Sequence, residues 1–124
     1  DITDKQVEYQ NACFGIVGLE TALPLSLKLV DEKILSLSDA IRKLTATPAQ
    51  IFNLDAGNLS IGKEADVLIF NPDIKYSIDV SKFHSKSKNS PFDGWEVKGK
   101  VIHTIVRGKT VYSATLHYHC KQQV

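Results

Sequence analysis

The feature that most constrains this chain is its division into a helix-forming half and a strand-forming half, neither with an obvious surface to close against. From Leu19 to Val30 apolar residues fall on nearly every helical face, and Pro24 can sit in a first turn, so this stretch predicts a buried helix. Ser36 is placed to cap a second helix with Asp39 three residues on, and Leu37, Ala40, Ile41 and Leu44 then repeat with helical spacing. Thr47-Pro48 pairs a capping residue with a proline at the first helical position. It predicts a short third helix through Ala49, Ile51 and Phe52 that stops near Gly57.

After Gly62 the pattern changes. Ala65–Phe70 is a short apolar run rich in β-formers and predicts a buried strand halted by Asn71-Pro72. Tyr76–Val80 alternates, and Val101–Val106, Arg107-Gly108 and Lys109–Tyr112 read as a hairpin with a tight turn. Residues 1–12 are polar and predict a loop, as does Phe83–Trp95, where Asn89, Pro91 and Gly94 suggest an ordered crossing of the surface. A buried helix and a small sheet that both lack a cover make an awkward independent fold. The simplest remedy is more chain upstream. The opening Asp1–Gln6, with neither an initiator Met nor the apolar core of a signal peptide, accordingly reads as a cut.

Several function classes fall away on composition. A formal net charge of +1 with scattered Lys and Arg offers no broad basic field for a phosphate backbone, so no nucleic acid is expected as a partner. No apolar run approaches the roughly 20 residues of a membrane helix, so no membrane partner is expected either. Cys13 and Cys120 lie near opposite ends, without the spacing of a disulfide scaffold or a zinc ribbon, and read as reduced thiols of a cytoplasmic protein.

Three blocks carry a family resemblance. Ala12-Cys13-Phe14-Gly15-Ile16-Val17-Gly18-Leu19-Glu20-Thr21-Ala22-Leu23-Pro24-Leu25 resembles the segment that follows the last metal-site motif of bacterial-type dihydroorotases. Lys43–Ala49 with Ile51-Phe52, then Gly57–Asp66, resembles the helix and turn shared across cyclic amidohydrolases. Ser85–Trp95, Gly99-Lys100-Val101 and Thr104–Lys109 are similar to dihydroorotases and also to allantoinases. The resemblance covers about residues 12–112 and leaves Ser113–Val124 as a tail.

For fold, the resemblance implies an α/β chain: the C-terminal part of an amidohydrolase-type (β/α)8 barrel, mainly helices, followed by strands of a small β-sandwich. Residues 1–55 would end the barrel, with a substrate loop and closing helices, and residues 56–112 would supply sandwich strands and the crossing loop. For function, it implies the C-terminal segment of a dihydroorotase, interconverting N-carbamoyl-L-aspartate and dihydroorotate in pyrimidine biosynthesis. Three alternatives stay open: a non-catalytic dihydroorotase-like subunit beside aspartate carbamoyltransferase, an allantoinase, and a hydantoinase-type enzyme. The implied partners are that small-molecule substrate and the missing N-terminal part of the same protein, with a homodimer or aspartate carbamoyltransferase left open.

The resemblance also implies zinc in a full-length parent, held by histidines, a carboxylated lysine and an aspartate. Those motifs would lie upstream of Phe14; Asp1 and Asp4 have no histidine near them and are not taken as ligands. This chain alone is therefore expected to hold no metal, to be inactive and to dissolve poorly. Carried over onto this sequence, Phe14 and Gly15 would contact substrate, mainly through backbone groups. Read without the resemblance, Phe14 is a core residue and Gly15 a turn residue.

The other polar residues favour plain readings. Glu20 has no partner placed by spacing, so a structural hydrogen bond or a helix-start charge outweighs acid–base work. Cys13 reads as a small packing residue rather than a reactive thiol. His117-Tyr118-His119-Cys120 has metal-ligand chemistry but lies in a polar tail, and a surface tail outweighs a zinc site. His84 and His103 are isolated, and the Lys82–Lys88 run reads as solvated.

Overall fold

The computed structural model describes residues 3–114, with the backbone alone of Asp4. Three helices come first, α1 (Ala22–Asp31), α2 (Leu37–Leu44) and α3 (Ala46–Ile51). Three strands follow, β1 (Val67–Ser77), β2 (Glu96–Val106) and β3 (Lys109–Ser113). Short 3-10 turns stand at Thr3–Lys5, inside the stretch expected to be a loop, and at Val80–Lys82. The strands form one antiparallel sheet in the order β1-β2-β3.

Helix α1 starts at Ala22, three residues later than the apolar pattern predicts. The chain first makes a tight turn in which the Thr21 N–H and hydroxyl both donate to the Gly18 carbonyl at 3.2 Å. Thr21 itself is almost fully buried. Pro24 falls in the first turn, where a missing N–H leaves no intrahelical bond unmade. The helix is not buried all round: Pro24 and Leu27 are covered while Leu29 stays exposed. Strand β2 and helix α2 reach it without surrounding it, so only part of its surface is shielded. The helix ends with Lys33 in the left-handed region (φ 59°), where the Ile34 N–H donates to Leu29 O at 2.9 Å and the Lys33 N–H to Val30 O at 3.0 Å. These paired bonds satisfy the carbonyls that a helix end leaves open.

The start of α2 is as the sequence predicts. The Ser36 hydroxyl oxygen accepts from the Asp39 N–H at 3.0 Å and donates to the Asp39 carboxylate. The cap of α3 is not. Thr45, not Thr47, is the residue before the helix, and its hydroxyl donates back to Ile41 O at 2.7 Å. Thr47 and Pro48 lie within the first turn, which accepts proline because its N–H groups have no intrahelical partners. The helix stops at Ile51, well before Gly57. Asn53 turns left-handed (φ 51°), and the Leu54 and Asn53 N–H groups close onto Ala49 O and Gln50 O.

The run Ala65–Phe70 was expected to be buried and to end at Asn71-Pro72; both expectations fail. β1 continues to Ser77 through a register break between Asn71 and Lys75, an irregularity that accommodates a proline without a ladder N–H. Leu68 and Ile69 are exposed, because among the described residues only β2 pairs with this strand. The strand expected through Val80 ends at Ser77, but the pairing continues informally: the Ile78 N–H donates to Trp95 O and the Gly94 N–H to Ile78 O. The hairpin is as predicted, with Val106 opposite Lys109 and both Arg107 and Gly108 at positive φ, the geometry of a two-residue type I′ turn. The second sheet of a sandwich is not present among the described residues.

The small core lies where the sheet meets the crossing loop. Ile78, Val80 and Val97 are buried, with Tyr76, Phe83 and Phe92 packed on them. Phe92 meets the Trp95 ring edge-on at 5.1 Å, and Lys28 of α1 lies 5.8 Å above the same ring. Helix and sheet join where Leu27 sits over Gly99 of β2, with the Asp31–Lys98 ion pair at 2.9 Å beside it. A Cβ on Gly99 would stand 2.1 Å from Leu27 Cδ1, and the residue has φ +96°. Gly99→Ala should therefore cost about 2–3 kcal/mol in a denaturation experiment. Gly62→Ala is the comparison: its φ of +87° carries the same backbone strain, but nothing lies within 4 Å of the added atom. The difference between the two variants isolates the clash with Leu27.

Candidate functional site

The two residues singled out from the sequence, Phe14 and Gly15, lie on the segment leading into α1. The Phe14 ring is fully exposed among the described residues rather than part of the core. Gly15 has φ +98° and open space where a Cβ would be, so its glycine serves the backbone conformation and not a close approach to another part of the chain.

This segment is held by a second one, far away in sequence. The Asn89 side-chain N–H donates to Gly15 O at 3.0 Å, and the Val17 N–H donates to the Asn89 main-chain O at 3.1 Å. The Ser87 hydroxyl donates to Asn89 Oδ1, which turns the amide so that its donor faces Gly15. From the other side Lys5 Nζ donates to Gly15 O at 2.7 Å and also to Cys13 O. A few residues on, both oxygens of the Glu20 carboxylate accept from main-chain N–H groups, those of His84 and Ser85, each at 3.0 Å. An open groove of about 610 Å³ runs between the two segments, lined by Ile16–Glu20 on one side and Phe83, His84 and Ser85 on the other.

Glu20 thus has the structural hydrogen bonds that the sequence reading preferred over acid–base work. Partial burial penalises its charged form, but the His84 and Ser85 N–H donors, with the nearby His84 and Lys88 side chains, outweigh that and hold its pKa below the ordinary 4.5. Cys13 corrects its expectation: it is exposed, not packed. The lysine run is more engaged than a solvated run need be. Lys82 pairs with Asp79 at 2.8 Å, and with the Ser81 donors this holds the Asp79 carboxyl down at about 2; Lys88 Nζ donates to Phe83 O. His103 lies in β2 opposite Ile69 and Ser113. His117-Tyr118-His119-Cys120 falls outside the described residues.

Sequence reasoning missed Asn89 except as a loop-former. A partner 74 residues away leaves no spacing signal, and the only local hint is the break that Asn89 makes in the Lys-Ser alternation before Pro91.

Among the described residues, no three His, Cys, Asp or Glu side chains come together in a way that could hold a metal ion. Nor is any described helix long and apolar enough to cross a membrane. The arrangement can present a backbone loop and hold it still.

Residues 2–111 match the family model described as "Amidohydrolase family". The chain belongs to the amidohydrolase family. Within that family it is similar to dihydroorotases. It is 50% identical over 111 residues to the dihydroorotase of Syntrophus aciditrophicus, covering 90% of this chain and 26% of that relative. It is 55% identical over 101 residues to that of Anaplasma phagocytophilum, covering 82% and 23%. This amidohydrolase chain therefore spans about a quarter of the length of the curated relatives it matches. Among solved structures it superimposes on the L-hydantoinase (dihydropyrimidinase) of Arthrobacter aurescens with a TM-score of 0.78 and 39% identity, over 84% of this chain and 24% of that one. A D-hydantoinase with a TM-score of 0.77 and 24% identity shares the fold.

The Glu20 bonds give a pH prediction. A carboxylate whose folded pKa is depressed contributes its full stabilisation above the unfolded value, here the ordinary 4.5, and loses it as pH falls through the lower folded value. An NMR titration should place the Glu20 carboxyl transition below 4.5, with the His84 and Ser85 amides losing exchange protection in the same pH range. A transition at or above 4.5, with His84 and Ser85 amides whose exchange does not follow it, would show that the two bonds do not form in solution.

Proposed function

We propose that this amidohydrolase chain is the C-terminal segment of a dihydroorotase, which interconverts N-carbamoyl-L-aspartate and dihydroorotate in the cytoplasm as part of pyrimidine biosynthesis. The observation that carries the reading is the identity of about 50% to dihydroorotases along 90% of the chain, including the Phe14–Leu25 block. On this reading residues 1–55 close a (β/α)8 barrel, residues 56–112 join a β-sandwich, and the N-terminal part of the same protein supplies the rest of both. The exposed and half-buried apolar side chains fit that account. Leu19, Leu23, Ile41, Leu44, Leu59 and Phe70 line one groove of about 520 Å³, a surface suited to being covered by more protein.

The chain's own share of the chemistry is positional. On this reading zinc, which would activate water and polarise the scissile amide, is held by residues of the N-terminal part of the full-length protein. Phe14 and Gly15 present backbone groups to the substrate from a loop that is already ordered. Lys5 and Asn89 both donate to the Gly15 carbonyl, which uses its two lone pairs, so the N–H is what this residue has left to offer an oxygen of the substrate. A fixed backbone donor suits the carboxylate and ring carbonyls of dihydroorotate, since no side chain has to be ordered on binding.

A second reading, a hydantoinase-type enzyme opening a different cyclic amide, is favoured by the 39% identity and close superposition on the L-hydantoinase. One experiment separates the possibilities. The protein, extended upstream to the length of its relatives, is assayed for zinc, for cyclisation of N-carbamoyl-L-aspartate and for opening of hydantoin. Bound zinc with carbamoyl-aspartate cyclisation is expected, and this chain alone should show neither. Hydantoin opening without cyclisation would move the assignment to the second reading. Neither zinc nor either activity would point to a non-catalytic subunit, the role for which aspartate carbamoyltransferase is the natural partner.

A further inference from the structure

We propose that Asn89 is a positioning residue for the Phe14–Gly15 loop, acting with Glu20 as a two-point clamp that fixes the substrate segment to the crossing loop. The proposal deepens, and rests on, the reading in which Phe14 and Gly15 meet the substrate.

The geometry of the clamp carries it. Asn89 grips the loop on both sides of Ile16, its side-chain amide on Gly15 O at 3.0 Å and its main-chain carbonyl on the Val17 N–H at 3.1 Å. Contacts of this two-sided kind fix the Gly15–Ile16 and Ile16–Val17 peptide planes, and so the point from which the Phe14–Gly15 peptide, with the Gly15 N–H, projects. The orientation of the amide is determined as well. Ser87 donates to Oδ1, so reversing the amide would set a carbonyl oxygen against Gly15 O and an N–H₂ against a hydroxyl that is donating. Glu20 makes the second point of attachment, receiving the His84 and Ser85 N–H groups on its two oxygens at 3.0 Å each. The clamp is needed because Gly15 has φ +98° and nothing packed where its Cβ would be, so no side-chain packing holds that residue in place. Hydrogen bonds do the holding instead.

Asn89→Asp tests this with little change in volume. The variant replaces the donor facing Gly15 O by a carboxylate oxygen, which repels it. In the protein at the length of its relatives, the KM for N-carbamoyl-L-aspartate should rise about tenfold while kcat stays within about twofold and zinc content is unchanged, the pattern of a lost ground-state contact. The Val17 amide should at the same time exchange with solvent at least tenfold faster. Glu20→Gln, which keeps one of the two acceptor oxygens, should shift both quantities in the same direction by about threefold, and it serves as the test if Asn89→Asp does not fold. Unchanged KM and unchanged Val17 exchange in a folded variant would overturn the proposal. So would a loss of activity without faster exchange, because the defect would then lie elsewhere. If the wild-type protein has no cyclisation activity, the dihydroorotase reading fails separately, and Val17 exchange alone decides the clamp.

Discussion

The seat of Leu27 on Gly99 is the contact on which the rest of the arrangement depends. It is the place where the helical half and the strand half of the chain touch at close range, and it exists because Gly99 carries no side chain where Leu27 Cδ1 lies. The Asp31–Lys98 ion pair and the Lys28–Trp95 contact flank it and fix the rotation of α1 over β2. Each flanking contact is partly exposed and worth no more than about 1 kcal/mol, so the packing of Leu27 dominates. From that seat a chain of consequences runs toward the site. The axis of α1 sets the position of Thr21 and Glu20 at its start; Glu20 reaches His84 and Ser85; and the loop so anchored brings Asn89 to Gly15.

How much of this could be read in the sequence depended on the range of the interaction concerned. Local features were legible: the Ser36 cap, the periodicity of α2 and the Arg107-Gly108 turn each rest on residues within seven positions of one another. The α3 cap was misread because Thr47-Pro48 satisfies the usual signature, while the competing bond from the Thr45 hydroxyl to Ile41 depends on where the preceding helix ends. Pro72 was read as a stop because a ladder cannot use its missing N–H; the register break between Asn71 and Lys75 gives the strand a way past it. At the candidate site, Phe14 and Gly15 are proposed from the resemblance and not from any local pattern. Glu20 was assigned the right kind of role without its partners, and Asn89 was missed, since nothing local connects residue 89 to residue 15.

The mismatch between apolar patterning and burial has one cause throughout. Helix α1 and strand β1 are written with apolar residues on more than one face, yet each meets a single strand of this chain, and Leu29, Leu68 and Ile69 are left exposed. The family match agrees with this, because the chain spans only about a quarter of its dihydroorotase relatives. On the proposed reading, patterning reports the neighbours a segment is built for, including those supplied by the N-terminal part.

The pairing of residue 15 with residue 89 also has a bearing on the order of events during synthesis. A ribosome delivers the Phe14–Gly15 segment long before the crossing loop, so for 74 residues of translation its Asn89 partner does not yet exist. Closing so long a span costs chain entropy that only the docked sheet can offset. Helices α1 and α2, with their local caps, can form early, whereas the loop waits until β2 has paired. The part of the molecule assigned to substrate is thus among the last to become ordered, and its geometry is a product of the completed fold.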